Sequence, residues 1–152
     1  MRRKLSEHFT LEELIFSQTA MRKGIDNTPA PDIVRNLRRL AGALEDVRAL
    51  LGAPVVISSG FRGEALNRAV GGARNSAHMR GLAADFTAPG AGAVLQVARR
   101  IAASNIAYDQ LIFEYGSWVH VGLADEGTAP RRQDLSIFKG TGYLPGIVGK
   151  PA

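Results

Sequence analysis

Cysteine is absent from this chain. Disulfides, thiolate metal sites and cysteine nucleophiles are excluded together, and any metal must be held by His, Asp, Glu or backbone oxygen. Histidine is almost as scarce, with three copies. Aromatic residues make up 7% and are not interleaved with basic ones. The longest Lys/Arg run is Arg2-Arg3-Lys4. Those two shortages remove the stacking platform and the basic stripe of a nucleic-acid binder, so no nucleic-acid partner is expected. No apolar run approaches the roughly 20 residues of a membrane span. Ser6, Glu7 and His8 stand where a signal peptide would need its apolar region. The chain is therefore expected to be made in the cytoplasm without a signal peptide.

What is present suits a globular domain. Hydrophobic residues reach 45% and charged residues 22%, enough to bury a core and too little charge for a disordered chain. The 152 residues are expected to form one domain, monomeric, with 1–8 and 147–152 loose at its ends. The formal charge is +5, which favours an anionic partner without naming it.

Apolar spacing outlines an α+β fold. Thr10 with Glu13 has capping-box spacing ahead of a short helix. Ile33, Leu37, Leu40, Leu44, Val47 and Leu51 form one stripe between Pro31 and Gly52, the clearest helix of the chain. The arginines 35, 38, 39 and 48 lie mostly off that stripe and read as a solvated face. Strands are expected at 54–59 and 82–86, a short helix at 64–70, and an amphipathic helix at 91–103. A hairpin is expected from 110–115 and 118–123 around Gly116-Ser117. The tail, rich in Gly140, Gly142, Pro145 and Gly146, is expected to be irregular. Together these predict a small antiparallel sheet with helices on one side.

Two histidines lie in unusual settings. His78 belongs to Ser76-Ala77-His78-Met79-Arg80-Gly81-Leu82-Ala83-Ala84-Asp85, and His120 to Trp118-Val119-His120-Val121-Gly122. Asp85 sits between Ala84 and Phe86 on an apolar strand, where a carboxylate is costly to bury unless paired or bound to metal. Two imidazoles and a carboxylate make a common catalytic zinc set. A strand histidine serves as readily in a core, however, so the residues alone leave a metal site and a packed interior both open. His8 has no partner nearby in sequence and is read as a surface residue.

The pattern Ser76-x-His78-x2-Gly81-x-Ala83-x-Asp85, with His120 on a later strand, resembles the zinc D-alanyl-D-alanine peptidases. Ser58-Ser59-Gly60-Phe61-Arg62 is similar to that family's Ser-Gly-Tyr/Phe-Arg element, and Asn67 fits a polar position after it. Lys139-Gly140-Thr141-Gly142-Tyr143 resembles the short, single-domain, phage-associated members. The resemblance implies the hedgehog-like fold of these peptidases and Zn2+ on His78, Asp85 and His120. It implies substrate contacts from Arg62, Asn67 and Ser76, and hydrolysis of peptide bonds in bacterial peptidoglycan. D-alanyl-D-alanine carboxypeptidase action and a non-catalytic zinc-binding wall module are the alternatives. A phage-type lysis enzyme would meet the wall after release or delivery.

In that family the proton-carrying residue precedes the last ligand, as Glu-x-x-His or His-x-His. Here those places hold Ser117 and Trp118, and neither is a base. Glu114 is the nearest carboxylate. With a three-residue loop, Tyr115-Gly116-Ser117, Glu114 pairs with Trp118 and shares a face with His120. With a two-residue loop it turns away and Asp109 takes its place. Glu114 is the expected base. The positive charge predicts that attachment to an anionic wall weakens as salt rises; a co-sedimentation assay at increasing ionic strength checks this, and salt-insensitive attachment would contradict it.

Overall fold

The computed structural model describes residues 2–152. Three helices come first: α1 (Leu11–Ile15), α2 (Gln18–Lys23) and α3 (Pro31–Leu51). The Thr10–Glu13 capping box closes reciprocally at the start of α1. Pro31 opens α3, and Gly52 ends it in the left-handed region at φ +63°. Its stripe residues Leu37, Leu40, Leu44 and Val47 are all fully buried.

Strand β1 (Val56–Ser59) and helix α4 (Glu64–Ala69) follow. A 3-10 turn (Ala77–Arg80) leads into β2 (Ala83–Thr87). Then come α5 (Val94–Ala102), the hairpin β3 (Gln110–Glu114) and β4 (Trp118–Gly122), and finally β5 (Gln133–Ile137) and β6 (Leu144–Pro145). The strands form one sheet in the order β1-β2-β4-β3-β5-β6.

Two-residue alternation divides the sheet. Ala84, Phe86, Leu111, Phe113, Val119 and Val121 join the core residues of α1, α3 and α5 on one face. The intervening residues, Asp85, Ile112, Glu114, Trp118 and His120, face the other way. The sheet therefore carries its hydrophobic load on one side and leaves the other for polar groups.

The expected small antiparallel sheet is corrected in two respects. The sheet has six strands, and β5 runs parallel to β3, with Glu114 opposite Ile137. The tail expected to be irregular supplies the short β6, and β5 falls where no element was expected. Hydrophobic alternation could not reveal β5, because its core-facing positions, Asp134 and Ser136, are polar. Ser136 is fully buried and donates its hydroxyl to the Gly146 carbonyl, and Asp134 accepts the Tyr108 hydroxyl at 2.5 Å.

Hydrogen bonds also tie down part of the N-terminal stretch expected to be loose. Arg3 donates its backbone N–H to Glu12, while Ser6 and His8 converge on the Glu45 carboxylate of α3. At the other end, the Val148 N–H donates to Ser136 Oγ.

The burial of α3 generates a direct test. Leu44→Ala should destabilise the protein by about 2–5 kcal/mol through lost burial and a residual cavity. Denaturant unfolding measures this, and a loss below about 1 kcal/mol would mean that the α3 stripe is not the packed face.

Candidate metal centre

Asp85 and His120 lie directly across from one another on the antiparallel pair β2–β4. Their side chains point to the same face, and His120 Nδ1 stands 2.9 Å from Asp85 Oδ1. His78 comes from the 3-10 turn laid over that face. Ser76 Oγ accepts the His78 N–H at the start of the turn, and Gly81 closes it at φ +70°. A side chain at Gly81 would press on Ile33 and Leu37 of α3. This turn brings His78 Nε2 to 3.3 Å from the same Asp85 oxygen.

A carbonyl decides which His78 nitrogen is available. His78 Nδ1 lies 2.8 Å from the Gly60 oxygen; a carbonyl only accepts, so Nδ1 carries the proton and Nε2 keeps its lone pair. Gly60 must be glycine for this contact. Its neighbour Phe61 donates an N–H to the Leu14 carbonyl at 2.7 Å, and a Cβ at residue 60 would run into that same Leu14 oxygen. Asp85 is braced from behind as well. β1 bulges between Ile57 and Ser59, and Ser58 Oγ donates to the Asp85 carbonyl at 3.2 Å.

The three donors suit a zinc ion. Ligand atoms about 2.0–2.1 Å from zinc in a tetrahedron stand about 3.3 Å apart. The two distances to Asp85 Oδ1 are close to that edge, and one donor atom from each residue lies within 4.8 Å of the others. All three side chains are buried. Burial holds the His78 imidazole below its ordinary value, against the pull of Asp85, which favours the neutral ligand form. Burial pushes Asp85 up, but the flanking His120 and His78 imidazoles outweigh it and hold the carboxyl well below the usual range. The site is thus a ready anion flanked by two imidazole nitrogens.

Glu114 faces this centre. The β3–β4 loop is Tyr115-Gly116-Ser117, and Glu114 pairs with Trp118. Glu114 Oε1 stands 3.8 Å from His120 Nδ1, and Oε2 accepts the Trp118 indole N–H at 3.0 Å. Burial, reinforced by the Asp85 charge, raises its pKa. The alternative carboxylate is placed elsewhere. Asp109 lies just before β3, at the end away from Glu114, and is held by Arg131 through contacts of 3.0 and 2.7 Å.

Arg62 is half-buried beside the turn that carries His78. Its backbone N–H donates to the His78 carbonyl at 3.1 Å, and Nη2 reaches Ser76 Oγ at 3.4 Å. Its Nε is buried without a partner among the described residues, a donor left over for something that binds. Asn67 is placed differently. It is buried on α4, its amide donates to the Ala73 carbonyl, and it lines a separate pocket with Arg74 and Met79. His8 pairs with Glu45 at 2.7 Å, away from the metal ligands. Sequence reasoning missed the Gly60 carbonyl, the Ser58 brace and the Trp118–Glu114 bond; the Ser58-Ser59-Gly60 run was the available signal for the first two.

The Gly60 contact predicts that Gly60→Ala weakens zinc binding about tenfold or more, because the carbonyl that orients His78 is displaced. Competition titration against a chromogenic chelator measures this, with circular dichroism to confirm the fold. Unchanged affinity would show that the carbonyl does not set the His78 orientation.

Among protein families, the one described as Peptidase M15 matches residues 7–122. The match covers the greater part of the chain, including His78, Asp85, His120 and Glu114. No curated protein matches the chain. On that match, and with a His/Asp/His centre in place, the chain belongs to the Peptidase M15 family, a family of metallopeptidases.

Proposed function

We propose that the protein hydrolyses peptide bonds in the stem peptides or crosslinks of bacterial peptidoglycan, using zinc on His78, Asp85 and His120 and Glu114 as the proton carrier. The observation that carries the proposal is Glu114, a half-buried carboxylate turned toward a three-donor metal centre and anchored by a single indole N–H. A bound zinc ion supplies Lewis acidity, which polarises a carbonyl and acidifies water.

The chain's own residues do the rest. Trp118 fixes Glu114 Oε2 and leaves Oε1 free toward the centre. Oε1 takes a proton from the attacking water and passes it to the departing amine nitrogen, so the amide C–N bond breaks as the C–O bond forms. The raised pKa of Glu114 suits both halves of that transfer. Arg62, with its unpartnered Nε, is suited to a substrate carboxylate or the polarised carbonyl oxygen. Ser76 Oγ, already shared by His78 and Arg62, holds that arginine at the cleft. The chain's basic charge favours an anionic wall. The phage-type lysis role rests on the likeness of the Lys139–Tyr143 tail.

Incubation of zinc-loaded protein with purified peptidoglycan should release new amino groups, and mass spectrometry of the fragments identifies the bond. Chelation should abolish the release and added zinc restore it. Glu114→Gln should keep its zinc while the rate drops by roughly 10²–10⁴-fold. Full activity in that variant would remove Glu114 from the mechanism; zinc binding without any cleavage by the wild type would leave a non-catalytic wall module.

A further inference from the structure

The metal face of the sheet carries exposed aromatics that the metal chemistry does not use. Tyr115 and Tyr143 are large aromatics exposed at 47% and 60%. Tyr115 holds φ at +55°, an uphill conformation for a bulky residue. The Tyr115 and Trp118 rings lie 5.5 Å apart, tilted by 47°. Tyr143 reaches the same place from the other end of the chain. Leu144 pairs with Ser136 and packs on the core, so by alternation Tyr143 turns to the metal face. It thereby extends the row Trp118–Glu114–Ile137, whose members pair directly across β4, β3 and β5. Burial, then the nearby Glu114 carboxylate and Tyr115, push the Tyr143 phenol up, which agrees with that placement. Residue 143 lies outside the family match of 7–122.

The sheet order sets this wall against Arg62. Arg62 follows β1 at one edge, the ligands sit on β2 and β4, Glu114 is on β3, and Tyr143 precedes β6 at the other edge. One side of the cleft offers a guanidinium donor; the other offers aromatic faces beside a carboxylate. We propose that the substrate peptide crosses the sheet with its carboxyl-terminal side at Arg62. The residue on the acyl side of the cleaved bond then lies between Tyr115 and Tyr143, which select a long aliphatic side chain ending in an ammonium group. Aromatic faces attract an ammonium within about 6 Å, the methylene stem covers ring surface, and Glu114 disfavours an anionic side chain at the same place. The orientation rests on the peptidase reading; the side-chain preference is a property of the wall itself.

The test uses zinc-loaded protein and short peptides ending in a free carboxylate, with lysine, norleucine or glutamate on the acyl side. Cleavage is read as KM and kcat. Binding of uncleavable ketomethylene analogues is read from the fluorescence of Trp118, the single tryptophan of the chain. Lysine should beat glutamate by tenfold or more, mainly in KM and in analogue affinity, with norleucine between them. Tyr143→Ala should shrink the preference to threefold or less with zinc content unchanged, and Tyr143→Phe should keep it. Equal treatment of lysine and glutamate, a preference that survives Tyr143→Ala, or its loss in Tyr143→Phe would each overturn the inference. Selective analogue binding without cleavage of any peptide would instead overturn the proposed activity and leave the aromatic wall standing.

Discussion

A buried carboxylate sets the terms for this molecule. Asp85 lies in the middle of the sheet, 8% exposed, where an isolated charge costs several kcal/mol. Two imidazole nitrogens at 2.9 and 3.3 Å make its ionised form tolerable. Each must be held by something else. His120 is held by the β2–β4 register, and His78 by a turn whose Nδ1 proton is committed to Gly60. Gly60 in turn must sit against Leu14 of α1. Stability and metal affinity are therefore coupled, because the contacts that orient the donors are also the contacts that join the N-terminal helices to the sheet.

The sheet separates load from function. Its helix-covered face is built from apolar residues on α3, α5, β2, β3 and β4. Every residue assigned to the chemistry lies on the opposite face or is laid over it by a loop. Such a division lets the site accumulate costs that a core could not accept, including an unpartnered Arg62 Nε and a carboxylate with a raised pKa. The residues after 122 belong to this design, although the family match stops there. β5 stacks on β3 beside Glu114, and its Ile137 carbonyl accepts the Tyr115 N–H at 2.8 Å. That bond holds the loop on which the direction of Glu114 depends.

Much of this was legible in the residues. The α3 stripe, its Pro31 start and Gly52 stop, the capping box and the identities of His78, Asp85 and His120 all follow from local pattern or from the likeness to a known motif. These features depend on neighbours three or four positions away, or on residue types that few other roles require. β5 escaped because Ser136 and Asp134 occupy places where hydrophobic residues were sought, each satisfied by one particular distant partner. Asn67 fitted a motif position by residue type; its amide nitrogen donates to the Ala73 carbonyl, and its Oδ1 is buried with no partner among the described residues.

The sequence by itself determined which groups are available: three possible donors, no thiol, and two carboxylates competing to carry the proton. Only the tertiary structure decided which of Glu114 and Asp109 faces the metal centre. A two-residue and a three-residue hairpin loop differ by one residue of register, and that difference turns every side chain of the strand to the other face. Local preference does not choose, since the three-residue loop puts Tyr115 in a left-handed conformation that tyrosine disfavours. The Ile137 bond to Tyr115, the Trp118 bond to Glu114 and the Arg131 clasp on Asp109 together choose it. All but the Trp118 bond reach across more than twenty residues of sequence.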